Sequence, residues 1–292
     1  MASLSFDPVA HAYDATRGYP EEVARQIGEE IDKAANGNGQ TRFLEVGVGT
    51  GRIALPIAKL GRNYTGIDIS EKMLSVLEGK LRAADWQEES LEWGSLPDEE
   101  AARKREVRRF VQAGGQGAMR MLVSDMTNMP FHDASFDAVI AVHVFHLVSE
   151  WQSALQEVLR VLRPGGVLLR CWDEGGRSGP LDIRREWRRI VRELGGSTER
   201  PGGTEQVVTA WLQERGLQTE KLTVLTWEQI ETPRAHFQSI AQRLWSSTWS
   251  VPDDIFAASV ERLQQWVDEN YGATIDDQYK QERHFVIERT KA

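Results

Sequence analysis

The chain has a single cysteine, Cys171, among 292 residues. One thiol forms no intrachain disulfide and no cysteine-based metal cluster. Its setting in an apolar strand pattern predicts an inert buried group. Long apolar runs are missing as well: none approaches the ~20 residues that span a bilayer. The first residues, MASLSFDPVAHAYD, have neither a basic start nor an apolar core, so no signal peptide is expected and a cytoplasmic location is. Positive charge is in short supply, with 35 Lys and Arg against 44 Asp and Glu and a net charge of −9. That balance argues against a nucleic-acid substrate, because domains that hold DNA or RNA carry a basic face. Internal repeats and low-complexity tracts are absent. The remaining composition, 40% apolar and 27% charged, is that of a soluble globule with enough chain for a core.

Residues 41–69, TRFLEVGVGTGRIALPIAKLGRNYTGIDI, hold the most informative pattern. Phe43 to Val46 reads as a buried strand that breaks into Gly47-Val48-Gly49-Thr50-Gly51. Ile53, Leu55, Ile57, Ala58 and Leu60 follow at helix spacing, and Tyr64 to Ile69 reads as a second strand with Asp68 near its end. Strand, glycine turn, helix and acid-tipped strand make half of a nucleotide-binding sheet. Glycines let a ligand approach the backbone without a Cβ in the way. Asp68, about 20 residues on, can accept both hydroxyl protons of a ribose. The spacing is G-x-G-x-G, so Arg52 stands where a dinucleotide fingerprint has its third glycine, which disfavours an NAD-dependent dehydrogenase. Glu45 lies two residues before the first glycine.

Further along, Ser70 is a candidate N-cap for a helix with Met73, Leu74, Leu77 and Leu81 on one face. Residues 83–117 interrupt the rhythm with Trp86, Trp93, Pro97 and the charged run DEEAARKREVRRF, and read as a partly helical insertion. Met121 to Asp125 reads as the third strand and Phe136 to Val142 as the fourth, which ends in His143-Val144-Phe145-His146. A helix from Trp151 to Leu162, a turn at Arg163-Pro164-Gly165-Gly166 and a fifth strand to Trp172 follow. Eight of the ten tryptophans lie after residue 150, where helices alternate with strand patterns at Leu222–Trp227 and His284–Ile287.

LEVGVGTG, GIDIS, SDMTNMPF and LRVLRPGG, in that order, resemble the motifs of class I S-adenosylmethionine (SAM) methyltransferases, in the branch similar to the ubiquinone/menaquinone-biosynthesis type. The resemblance runs from about residue 13 to 172, interrupted at 83–117. It implies an α/β fold: a doubly wound, seven-stranded, mostly parallel Rossmann-like sheet with inserted helical lid segments. One domain, 1–292, would have its core at about 21–82, 118–173, 204–229 and 281–290. The lid and inserts would take about 1–20, 83–117, 174–203 and 230–280.

The resemblance also implies SAM as cofactor and S-adenosylhomocysteine as product. Its cofactor-binding positions map onto Tyr13, Arg17, Glu45, Gly47, Val48, Gly49, Gly51, Asp68, Ile69, Met73, Asp125, Met126, Val142 and His143. By the same likeness Arg17 would meet the cofactor's carboxylate and Asp125 the adenine amino group. Ligands of open α/β sheets bind outside the carboxyl ends of the strands, which makes His146 and then His143 the candidate catalytic bases. Such a base is needed only if the acceptor must lose a proton. Tyr19, His146, Trp172 and Trp187 are the candidate substrate-pocket residues, and no metal is expected. The end of the fourth strand, Val142-His143-Val144-Phe145, lacks the Asn/Asp-Pro-Pro-aromatic signature of exocyclic-amine methyltransferases, and no Pro-Cys nucleophile is present. Both absences favour a small-molecule acceptor, with no membrane or nucleic-acid partner and a monomer or homodimer. An RNA- or protein-modifying methyltransferase using the arginine-rich stretches 103–109 and 184–192, and a SAM-binding protein without turnover, stay open.

Overall fold

In a computed structural model, which describes residues 4–89, 107–112, 117–175 and 181–292, the predicted alternation of strands and helices takes shape. A 3-10 turn, Asp7–Ala12, leads into α1 (Tyr13–Arg17), α2 (Glu21–Ala34), β1 (Arg42–Val46), α3 (Ala54–Ala58), β2 (Asn63–Asp68) and α4 (Glu71–Ala83). Four strands follow: β3 (Trp86–Glu89), β4 (Arg108–Gln112), β5 (Ala118–Val123) and β6 (Phe136–Val142). Then come α5 (Trp151–Val161), β7 (Leu162–Gly175), α6 (Leu181–Glu193), α7 (Glu205–Gln213), β8 (Thr219–Glu231), α8 (Pro233–Ala241), α9 (Asp253–Asn270) and β9 (Tyr279–Lys291). Trp93, Pro97, Gly176 and the charged run up to Glu106 lie outside the described residues. No helix among the described residues is long and apolar enough to cross a membrane.

Where a single domain is expected, the contacts divide the chain into two compact units. The first comprises Met1–Trp172, Gly202–Leu225 and Phe285–Ala292; the second comprises Asp173–Pro201 and Thr226–His284. Among the described residues the sheet has nine strands in the order β3-β4-β5-β2-β1-β6-β7-β9-β8, not seven. β5, β2, β1, β6 and β7 run parallel to one another, as the motif order requires. The two additional strands come from the insertion. Trp86 to Glu89 pairs antiparallel with β4, and β4 pairs antiparallel with β5. The described ends of 83–117 are thus strands rather than helix, anchored by buried Trp86 and Phe110.

β1 is buried along four of its five residues, which explains its uninterrupted apolar run. On one side of the sheet Ala154, Leu155 and Val158 of α5 and Val208 and Leu212 of α7 join Leu44, Val46 and Val139 in a continuous core. α4 begins as its sequence indicates: Met73 N–H donates to Ser70 Oγ at 3.1 Å, and Met73, Leu74, Leu77 and Leu81 are buried. The Arg163-Pro164-Gly165-Gly166 stretch, expected as a turn, is instead the irregular start of β7, where the register with β6 shifts. Its backbone finds partners at Ala292: Gly165 N–H donates to Ala292 O at 3.0 Å, and Ala292 N–H to Gly166 O at 2.9 Å. The second unit has its own core, in which Ile183, Trp187, Ile190 and Val191 of α6 meet Ile240, Phe256, Leu263 and Val267.

Candidate active site

The glycine turn leaves β1 in the left-handed region, with φ of +73° at Gly47, +56° at Gly49 and +77° at Gly51. Such angles are strained for residues with a Cβ. Space adds a second constraint at two of them. A Cβ on Gly47 would lie 2.7 Å from Val144 Cγ2, and one on Gly51 would lie 2.3 Å from Leu77 Cδ1. Gly51 therefore serves the close packing of the turn on α4, while Gly47 and Gly49 line a cleft. The turn is pinned to β2: Gly47 and Val48 N–H both donate to Ile67 O, at 2.9 and 3.0 Å.

Asp68 closes this arrangement. Its Oδ2 accepts from Gly49 N–H and its Oδ1 from Ser70 N–H, both at 2.8 Å. Burial pushes its carboxyl up to about 6, although the backbone N–H groups of Ser70 and Gly49 act the other way. A carboxylate has about four lone-pair sites, so these two bonds leave acceptor capacity toward the cleft.

The cleft encloses about 680 Å³, counting the space open to solvent. Of the candidate cofactor positions it brings together Tyr13, Gly47, Gly49, Asp68, Ile69, Met73, Asp125, Met126, Val142 and His143. Asp125 Oδ1 accepts from Thr127 N–H and Thr127 Oγ1, each at 2.8 Å, which fixes the rotamer of an otherwise exposed carboxylate.

Four expected cofactor contacts do not line this cleft. Glu45 is 2% exposed within the sheet, where Tyr64 O–H donates to its Oε2 at 2.8 Å. Val48 is 3% exposed and Gly51 faces α4. Arg17 lies over the rings of Phe6 and Tyr13, at 5.0 and 5.4 Å. Arg52, the residue at the third-glycine position, ties down the same arm: its Nη1 donates to Arg17 O at 2.9 Å and its guanidinium lies 4.8 Å over Tyr19. Tyr19 packs edge-on against Phe285 with centroids 6.2 Å apart, away from the cleft lining. The lining residues that sequence reasoning missed are Leu4, Phe6, Ile67, Ser124, Val144, Leu147 and Val148. Val144 and Leu147 flank the two histidines; Phe6 had only its aromatic ring as a signal.

At the end of β6 the backbone turns sharply. His143 has φ +50° and donates its N–H to Cys171 O at 3.1 Å. Its ring stands 6.5 Å from that of His146, nearly perpendicular at 78°. His143 and Val144 also line a second cavity of about 260 Å³, open space included, shared with His146, Arg170, Trp172 and Glu205. Trp172 has two cations over its ring, Lys221 at 5.3 Å and Arg170 at 5.9 Å. Arg170 is committed elsewhere: Nε donates to Glu288 Oε1 at 3.0 Å, Nη2 is paired with the same oxygen, and Nη1 reaches Glu205 O at 3.3 Å. Trp187, by contrast, is 1% exposed in the core of the second unit, with its indole N–H donated to Ser259 Oγ at 3.0 Å. That packing corrects the expectation of a pocket wall.

Residues 44–170 match the family model described as a methyltransferase domain. The chain is 28% identical over 268 residues to an uncharacterised methyltransferase of Mycobacterium tuberculosis, covering 90% of this chain and 85% of that protein. It is 29% identical over 172 residues to the demethylmenaquinone methyltransferase of Clavibacter sepedonicus, over 59% of this chain and 57% of that one. The YcgJ protein of Bacillus subtilis has a similar fold, with a TM-score of 0.52 at 14% identity over 91% of this chain and 97% of its own. Motif order, cleft and relatives together make the chain similar to SAM-dependent methyltransferases, with the family model spanning residues 44–170.

Proposed function

We propose that this protein methylates a small-molecule acceptor, with Asp68 holding the cofactor's ribose and Asp125 its adenine. The observation that carries this reading is the single cleft lined by Gly47, Gly49, Asp68 and Asp125 and also by His143. The fit is chemical. Two acceptor-only carboxylates suit ribose hydroxyls and an exocyclic amine, and a Cβ-free turn suits close approach of a sugar. When bound, SAM supplies an activated sulfonium methyl. The chain's own task is then mainly positioning and exclusion of water. Val142, Val144 and Leu147 give the cleft apolar walls, and Leu4, Phe6 and Tyr13 of the arm complete its lining. His146 is the first candidate to take a proton from the acceptor and His143 the second; both residues line the smaller cavity. The net charge of −9 favours a small acceptor over RNA.

The test incubates the full chain with SAM carrying a labelled methyl and a cell extract fractionated into metabolites, RNA and protein. Label in the metabolite fraction is the expected result; label in RNA or protein alone overturns the small-molecule reading. For the base, His146→Ala is expected to abolish most turnover on that metabolite while calorimetry shows retained SAM affinity. Wild-type turnover would reduce His146 to a packing residue.

A further inference from the structure

Thr50 stands in the glycine turn between Gly49 and Gly51 and is 1% exposed. Flanking glycines lend a residue little backbone stiffness, so its place depends on what grips it. Two elements do. Thr50 Oγ1 donates to Asp14 Oδ1 of the arm at 2.6 Å, and Thr50 O accepts from Lys80 Nζ of α4 at 2.9 Å. Lys80 Nζ also lies 2.6 Å from Asp14 Oδ2. Turn, arm and helix thus close a ring through one ammonium group. Leu77, three residues before Lys80 on α4, packs against Gly51, where a Cβ would lie 2.3 Å from its Cδ1. Residues three apart share a helix face, so α4 grips two consecutive residues of the turn.

The same ring ties down the arm. Asp14 follows Tyr13, which lines the cleft together with Leu4 and Phe6. Elsewhere the arm is held by Leu4 N–H on Leu147 O at 3.0 Å, by Ser70 Oγ on Asp7 Oδ1, and by Arg52 Nη1 on Arg17 O at 2.9 Å. Of these anchors the Asp14 contact is the one that reaches the glycine turn itself. The Lys80 and Asp14 side chains are 32% and 36% exposed, so water competes for each partner. A bond of that kind suits a fastening that has to open.

We propose that Lys80 is a positioning residue for cofactor binding, which fastens the arm to the glycine turn so that the two open and close as one. An ammonium has three donors, enough to serve the Thr50 carbonyl and the Asp14 carboxylate together. Without it Asp14 keeps only the Thr50 hydroxyl, and Thr50 O loses its donor. Tyr13, beside Asp14, and Gly49, beside Thr50, both line the cleft. Gly49 N–H is also the donor that holds Asp68. Opening the fastening therefore loosens two walls of the cleft at once. Resting on the SAM reading of the cleft, this gives Lys80 a part in retaining the cofactor, although it is not among the lining residues.

Lys80→Met keeps a long stem and a good helix former and removes the ammonium. The full chain and this variant are compared by hydrogen exchange without ligand and by stopped-flow measurement of SAM dissociation. Exchange is expected to rise together in the arm, residues 4–17, and in the turn, residues 47–51. SAM dissociation is expected to quicken about fivefold, the loss of a partly exposed charge-assisted bond. Asp14→Asn keeps an acceptor for Thr50 Oγ1 and drops the charge, so it is expected to quicken dissociation too. The double variant is expected to dissociate no faster than the faster single one, because the two residues share one contact. Additive effects in that cycle, exchange that rises in the arm but not in the turn, or unchanged dissociation in Lys80→Met each overturn the proposal. Lys59→Met removes an exposed positive charge on another element and is expected to leave dissociation unchanged; an equal quickening there marks a general charge effect and overturns the proposal as well. A chain whose arm and turn loosen together in Lys80→Met but which never binds SAM overturns the SAM reading and leaves the fastening standing.

Discussion

The two cavities that share His143 and Val144 hold their charges in opposite ways. In the larger cleft the charged groups are Asp68 and Asp125, each bonded to local donors and each with acceptor sites remaining. The smaller cavity is lined by Arg170 and Glu205, and the donors of Arg170 go to Glu288, Thr209 and the Glu205 carbonyl. A charge at a cavity wall therefore means different things in the two places. In the first it is open to a ligand; in the second it bolts β7 to β9 and α7. The contrast separates groups with acceptor sites remaining from groups that hold the fold.

Breaking the second kind should have the largest effect. Arg170→Ala strands Glu288, which is 4% exposed, without its partner. The expected loss is about 3–5 kcal/mol in urea unfolding, because an uncompensated buried charge remains. Glu45→Gln should come next and changes the shape of the pH dependence. Burial raises the Glu45 carboxyl from 4.5 to about 8, against the opposing Tyr64 hydrogen bond. The folded state thus holds this proton more tightly than the unfolded chain does. Stability is expected to fall as pH rises from 4.5 and to level off above about 8. Removing the group flattens that slope across the window; an unchanged slope in thermal melts would rule out a protonated Glu45.

Asp68→Ala tests the first kind of charge. SAM affinity should fall tenfold or more, a contribution of about 2–3 kcal/mol for charge-assisted bonds, as read by calorimetry. Unchanged affinity would move Asp68 to the structural class. The smallest expected effect is that of Ser70→Ala, about 1 kcal/mol of stability from the lost cap of α4, measured by the same unfolding curves. Ser70 Oγ also bonds Asp7, so this variant further reports whether the arm depends on that contact.

Much of the cleft wall was legible because few residue types meet its local demands. Gly47 and Gly49 are fixed by positive φ and close approach, and Asp68 by its place at the end of a parallel strand. Contacts made across space left weaker marks. Arg17 and Tyr19 look like binding residues, yet the structure turns them onto Phe6 and Phe285, a choice of facing that sequence order does not encode. The strands of the insertion escaped notice because Gln87-Glu88-Glu89 and Arg108-Arg109 are polar on both faces, which conceals a period of two. Arg109 even lies opposite Arg120 in the ladder, a pairing that no pattern rule would choose.

His143 illustrates a conflict that selection must manage. Its left-handed backbone, φ +50°, is a conformation that glycine or asparagine adopts more easily. A population selected for heat resistance alone would be drawn toward those residues at this position. Each such step would delete the imidazole that borders both cavities. On the role proposed for His143, this position is a point at which robustness and activity pull apart.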